Sequence, residues 1–240
     1  MSDTLFNKIK KLTEDLQIDY TGVADLTIAR DFILTHGGER VARYPFCVSL
    51  GIALPNSIVD MLPEREEYSV RMSYSMHAYK FINRRLDEAA SRVASFIQKE
   101  GFSALPIPAA EYANDGKLYA VFSHKLGAHL AGHGWIGKSC LLVTKEHGPR
   151  VRFVSVLTDA PLKATGKAME QRCADCMECV NICPAGAFTG RNFREDEPRE
   201  SRYYAHKCDE YFDLMEAEGK LGICGMCLYV CPYGRKGYRG

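Results

Sequence analysis

The apolar positions in the first two-thirds of the chain alternate between two periods. Leu5, Ile9, Leu12 and Leu16 recur at helical spacing and predict an opening helix over residues 5–16. Residues 20–26 read as a short strand or loop, and residues 27–35 as a second helix closed by Gly37-Gly38. Residues 46–54 form an unbroken β-prone run that stops at Pro55, the pattern of a buried strand. A long helical pattern follows over 68–99, through Tyr79, Ile82, Leu86, Ala89, Val93 and Ile97, and Gly101 ends it. Strands are expected over 102–107, 140–144 and 151–157, with a helix over 124–131. No stretch repeats and none is of low complexity. The expected fold is an α/β (mixed α+β) domain over residues 1–167, followed by a small module over 168–240.

In that second part the cysteines take over. Cys173, Cys176, Cys179 and Cys183, with Pro184 behind them, read C-x2-C-x2-C-x3-C-P. Cys224, Cys227 and Cys231 with Pro232 repeat its end, and Cys208 upstream supplies a fourth thiol. This is the run of a bacterial two-cluster ferredoxin, whose last cysteine in each group crosses to the other cluster. The expected ligand sets are Cys173, Cys176, Cys179 and Cys231 for one 4Fe-4S cluster, and Cys183, Cys208, Cys224 and Cys227 for the other. Thiolates three residues apart on a tight loop reach three corners of a cube, and a remote fourth closes it. Proline behind the last cysteine forces a new chain direction. Zinc ribbons are built from separate C-x2-C pairs instead. A disulfide framework suits a secreted chain, whereas MSDTLFNKIKKLTEDL carries no signal-peptide pattern, so a cytoplasmic protein is expected. Residues 190–201 read as a polar connector between the two groups.

Bulk properties narrow the partners. The 240 residues carry a net charge of +1, with 46% apolar and 25% charged side chains. No global field favours nucleic acid or an anionic membrane, and no apolar run is long enough to span a bilayer. The basic residues of 233–240 read as a solvated terminus.

The segment Gly132-His-Gly-Trp-Ile-Gly-Lys-Ser139 satisfies both G-x-x-x-x-G-K-S and G-x-G-x-x-G. A phosphate loop leaves a strand and enters a helix, so that the helix N-terminus faces the anion. Here the predicted helix comes first and β-prone Leu141-Leu-Val-Thr follows, which speaks against an NTPase or a dinucleotide site.

Gly134-Trp-Ile-Gly-Lys-Ser139, the β-rich residues behind it, Val-Leu-Thr-Asp159 and the two cysteine groups together resemble the epoxyqueuosine reductases. These are cobalamin-dependent iron–sulfur enzymes related in fold to the reductive dehalogenases. The resemblance runs from about Tyr68 onward. It implies an N-terminal corrinoid-binding domain and a ferredoxin-like module that feeds it electrons. It also implies that Gly134, Trp135, Ile136, Gly137, Lys138 and Ser139 lie at the corrinoid, the glycines permitting close approach. A core role for Trp135 remains the alternative. In the family a catalytic aspartate lies seventeen residues before this tryptophan; here that position is Leu118, with Asp115 three residues away. No catalytic residue is therefore assigned. His124, His129 and His133 are candidate proton donors, or else surface or capping histidines. The family's C-terminal helical-repeat extension is missing from a chain that ends nine residues after Cys231. Together with the low charge, this points away from a tRNA substrate.

Of the remaining candidates, Cys47 reads as a buried small hydrophobe, and Cys140 as core or a redox residue beside the loop. Arg150 and Arg152 read as a phosphate or amide clamp, or a solvated hairpin corner. Two functions follow. One is an oxidoreductase taking electrons from a ferredoxin- or flavodoxin-type donor through two 4Fe-4S clusters to a base-off corrinoid (cobalamin) that reduces a small organic substrate. The other is an electron-transfer protein without its own substrate, serving a partner such as a corrinoid protein.

Overall fold

The structure, a computed structural model, describes residues 2–110 and 118–235. Asp115 and the last five residues of the basic tail lie outside them. In chain order the elements begin with α1 Ser2–Asp15, β1 Tyr20–Asp25, α2 Arg30–Gly37, α3 Glu39–Ala42 and β2 Phe46–Ala53. There follow α4 Asn56–Asp60, α5 Tyr68–Tyr74, a π-helical segment Ser75–Phe81, α6 Ile82–Lys99 and β3 Ala104–Ile107. Then come α7 His124–Leu130, β4 Gly134–Ile136, β5 Leu142–Thr144 and β6 Val151–Thr158. Short helices α8 Glu178–Asn181, α9 Ala205–Ala217 and α10 Met226–Tyr229 close the chain.

These elements form two compact units that interleave along the sequence. The first comprises Met1–Ile52, Ile82–Gly134 and Arg152–Met169. The second comprises Ala53–Phe81, Trp135–Val151 and Glu170–Gly240, so the Trp135 loop is grouped with the cysteines.

The first unit is built on a four-stranded sheet of order β1-β2-β6-β3. β1 and β2 pair antiparallel from Tyr20 opposite Gly51 to Asp25 opposite Phe46. β3 and β6 pair antiparallel from Ala104 opposite Thr158 to Ile107 opposite Ser155. β2 and β6 are buried along nearly their whole length, which is why both read as continuous apolar runs and not as alternating ones. α6 buries Ile82, Leu86, Ala89, Val93 and Ile97 along one stripe and packs against β3 and α1. α7 lies against β1 and passes close to β2 and β6 at Gly127. A Cβ there would lie 2.9 Å from Cys47 Sγ and 3.3 Å from Ser155 Oγ, so only glycine lets the helix seat. Cys47 is wholly buried, and burial pushes its thiol up to about 12.

Two local expectations change. The helical run over 68–99 contains a wider π-helical segment. Its buried positions Tyr74, Ala78, Ile82 and Leu86 recur every four residues, a longer step than the 3.6 of an α-helix, and widening keeps them on one face. The strand expected from residue 140 begins at Leu142, because Cys140 has φ 54° and closes a turn by donating from its N–H to Gly137 O at 2.9 Å.

His129 is buried, and His124 and His133 are half-buried. His124 Nδ1 meets Ser155 Oγ at 2.9 Å and Nε2 meets Pro108 O at 2.9 Å. His129 is buried with Nδ1 at 3.0 Å from Gly134 O. His133 stacks on Phe153 and meets the Tyr20 ring edge-on. Burial, with the Arg152 charge adding to it, pulls His124 down to about 4.

Two outcomes are expected. Leu86→Ala, at a fully buried α6 position, should cost about 2–5 kcal/mol, while Leu86→Met costs less than about 1.5 kcal/mol, read from thermal unfolding. The His124 ring is neutral in the folded state down to about pH 4, whereas an unfolded histidine titrates near 6.5. Its contribution is thus complete above about pH 6.5 and lost as the pH falls toward 4. Across that window the urea midpoint of the native protein should fall more than that of His124→Gln.

Candidate iron–sulfur centre

The second unit gathers the cysteines from loops, from two one-turn helices and, for Cys208, from the first turn of α9. Cys179 sits in α8 and Cys227 in α10, and these helices pack against each other. Cys183 and Cys231 lie just beyond them, each followed by proline. The turn before α8 is closed by Cys176 N donating to Cys173 O at 2.8 Å. Gly225, between two cysteines, has φ 78°, and a Cβ on it would lie 2.8 Å from Tyr74 Oη and 2.9 Å from Leu62 Cδ1.

Electrostatics shows which thiols face one another. Burial pushes Cys179 up to about 12, with the charges of Cys173, Cys231 and Cys176 adding to it. Burial likewise lifts Cys231 to about 11, with Cys173 and Cys176 contributing. On the other side burial raises Cys227, with Cys224, Cys208 and Cys183 adding. Cys208 is raised by burial and also feels Cys224 and Cys183. Cys173, Cys176 and Cys231 thus act on Cys179, while Cys183, Cys208 and Cys224 act on Cys227. Cys227 also feels Cys179, so the quartets are neighbours. Thiols held back by burial and by neighbouring thiols, as Cys179 and Cys227 are, would ionise most readily beside a cationic body. Among the described residues no three His, Cys, Asp or Glu side chains converge as a single metal ion requires.

The Trp135–Ser139 loop is bound to the first quartet. β4 and β5 form a two-stranded hairpin, and Gly137 N donates to Leu141 O at 2.9 Å across its turn. A Cβ on Gly137 would lie 3.5 Å from Cys173 Sγ. Lys138 is 6% exposed, and its Nζ contacts Ala174 O at 2.7 Å, Cys176 O at 3.1 Å and Met177 Sδ at 3.6 Å. Three acceptors match the three N–H donors of a lysine. Trp135 is 0% exposed, edge-on to Tyr233 at 4.7 Å between ring centroids, with the Arg172 guanidinium 6.0 Å over its ring. No helix begins at Gly137-Lys138-Ser139, in keeping with the reading against a phosphate loop.

Arg150 is neither a solvated corner nor a free clamp. It is 2% exposed, bonds Asp60 at 2.7 Å and Asn56 Oδ1 at 2.8 Å, and reaches Tyr229 O on α10 at 3.4 Å. Gly148 and Gly234 leave the room this requires, since a Cβ on Gly148 would run into Gly234 N. Arg152 instead donates from Nε to Asn83 Oδ1 at 3.3 Å in the first unit. Cys140 is buried at the hairpin turn.

Sequence reading missed two residues that act on the second quartet. Tyr203 hydrogen-bonds Cys208, and burial and that thiol's charge raise the phenol's own pKa. Burial raises Cys224, and the Met226 backbone N–H and then the Arg65 charge act against that rise. Neither residue stands in a motif, and Arg65 lies far upstream, so no spacing marks them.

Residues 172–234 match the model of the 4Fe-4S double cluster binding domain. The chain is similar over most of its length to epoxyqueuosine reductases. It is 27% identical over 230 residues to that of Pseudomonas aeruginosa, covering 85% of this chain and 57% of the relative. The chain spans about half the length of the curated relatives it matches. Among solved structures, a reductive dehalogenase described with a mechanism for B12-dependent dehalogenation matches with a TM-score of 0.68 and 20% identity, over 95% of this chain and 32% of that one. An epoxyqueuosine reductase matches with a TM-score of 0.61 and 15% identity, over 97% of this chain and 67% of that one. The mixed α/β fold is thus that of these reductases. No helix among the described residues is long and apolar enough to cross a membrane.

Lys138→Met should leave the 174–177 carbonyls without their donor while keeping the side chain's bulk. Losing hydrogen bonds from a charged group, about 1.5–3 kcal/mol, predicts iron loss to a chelator about tenfold faster or more. An unchanged rate would show that the loop is held by other contacts.

Proposed function

We propose that this chain is an iron–sulfur oxidoreductase of the epoxyqueuosine reductase type. Electrons from a low-potential ferredoxin- or flavodoxin-type donor would pass through two 4Fe-4S clusters to a base-off corrinoid, which reduces a small organic substrate. The observation that carries the reading is the pair of neighbouring thiol quartets inside the stretch that matches a double-cluster domain. Cys173, Cys176, Cys179 and Cys231 would hold one cluster, and Cys183, Cys208, Cys224 and Cys227 the other. When bound, the clusters supply one-electron transfer.

The chain's own residues fix the geometry in which this happens. Lys138 binds the loop of the first quartet, and Arg150 ties α10 to α4. Tyr203 and Arg65 lower the cost of negative charge on Cys208 and Cys224. The quartets share the packed helices α8 and α10, which gives electrons a short route between them. Likeness to a B12-dependent dehalogenase supports the corrinoid. The side chains of Trp135, Lys138 and Ser139 are buried, so the backbone of Gly134–Ser139 would form its seat. A net charge of +1 favours a small substrate over a nucleic acid.

The same burial favours one other reading, in which the loop serves only the clusters and the chain is an electron carrier for a corrinoid protein. Metal analysis and visible spectra of anaerobically purified protein, with and without cob(II)alamin, separate the two. About eight irons per chain and a base-off cobalamin spectrum are expected. Full iron with no cobalamin retained would make the chain a carrier, and zinc in place of iron would overturn both readings.

A further inference from the structure

The indole nitrogen of Trp135 is fully buried and finds no hydrogen-bond acceptor among the described residues. An unpartnered buried N–H costs about 1–3 kcal/mol, so a persistent one points to an acceptor that belongs to the assembled protein. Its surroundings say which. In an extended segment residues two apart face the same side, so Trp135 at the centre of β4 shares a face with Gly137 directly behind the strand. That face of Gly137 looks at Cys173 Sγ, 3.5 Å from where a Cβ would stand. The ring itself is bracketed by Arg172, next to Cys173, and by Tyr233, two residues after Cys231. Tyr233 Oη in turn donates to Arg172 O at 3.2 Å, closing the bracket. Residues adjoining both the first and the last cysteine of the first quartet thus enclose the indole.

We propose that Trp135 Nε1–H donates a hydrogen bond to a sulfur of the cluster held by Cys173, Cys176, Cys179 and Cys231, and thereby raises that cluster's reduction potential above its value without the bond. This rests on the double-cluster reading above and assigns Trp135 as a positioning residue. Reduction adds one electron to the cluster from the external donor and leaves the indole proton in place. The sulfurs become more negative, and an N–H dipole aimed at them stabilises the reduced state more than the oxidised one. Lys138, fixed to the carbonyls of the same loop, acts in the same direction but on the backbone and not on sulfur.

Trp135→Phe keeps a ring against Tyr233 and removes the donor. In a redox titration of the anaerobic holoprotein, followed by visible absorption and electron paramagnetic resonance, iron content should stay at the native value. One cluster should be about tenfold less reduced at a fixed potential, ~59 mV lower for a one-electron couple, with the other unmoved. Coincident titrations at equal iron content would overturn the proposal. Should the variant lose iron, the native protein still decides, because Trp135 is the only tryptophan in the chain. Incorporation of 15N-indole tryptophan should place 15N spin-echo modulation on the signal of one reduced cluster, and its absence from both would overturn the proposal. A native protein without iron would instead fail the double-cluster reading, a result visible before any variant is made.

Discussion

Eight thiols are gathered into one small unit, and most of them are raised by burial and by one another's charge. Holding so many thiols out of water beside one another is the constraint on which the second unit depends. Short helices of four residues, such as α8 and α10, have too few internal hydrogen bonds to stand alone. The unit has no extended sheet to template them. A cationic iron–sulfur body at each proposed quartet would relieve the opposition and tie together loops that are far apart in sequence. The remaining contacts are arranged around that need. Arg150 anchors α10 through a buried ion pair, Lys138 holds the first cysteine loop by its carbonyls, and Gly225 and Gly148 let chain segments approach where a side chain would block them.

The sequence carried the cysteine pattern in full, because ligand spacing is local and cluster geometry tolerates few alternatives. It also carried the sheet of the first unit, since strands buried on both faces, as β2 and β6 are, read as continuous apolar runs. It was less informative wherever a contact joined distant segments. Residues 53–81 gave no sign that they would pack with the cysteines, and Arg65 beside Cys224 or Asp60 beneath Arg150 follow no period. The histidines near the loop could be read from sequence as proton donors or as surface or capping groups, because imidazole is polar and titrates near neutral pH. Each instead serves the interior, by bridging Ser155 to Pro108, by meeting the Gly134 carbonyl or by stacking on Phe153.

The Gly134–Ser139 segment shows how a familiar pattern changes meaning with context. Its lysine and glycines satisfy a phosphate-loop expression, yet the lysine donates to the backbone of a cysteine loop and the last glycine clears space beside a thiol. The loop is a hairpin whose Lys138 reaches the carbonyls of the first cysteine loop.

The proposed ligand sets are crossed, with Cys183 and Cys231 each serving the quartet of the other group. Electron paramagnetic resonance of the fully reduced Cys231→Ser protein, set beside Cys173→Ser and Cys224→Ser, tests this directly. Crossed pairing predicts that Cys231→Ser alters the same cluster signal as Cys173→Ser and leaves the signal altered by Cys224→Ser intact. A Cys231→Ser spectrum that instead matches Cys224→Ser would contradict the pairing and the account of the unit built on it.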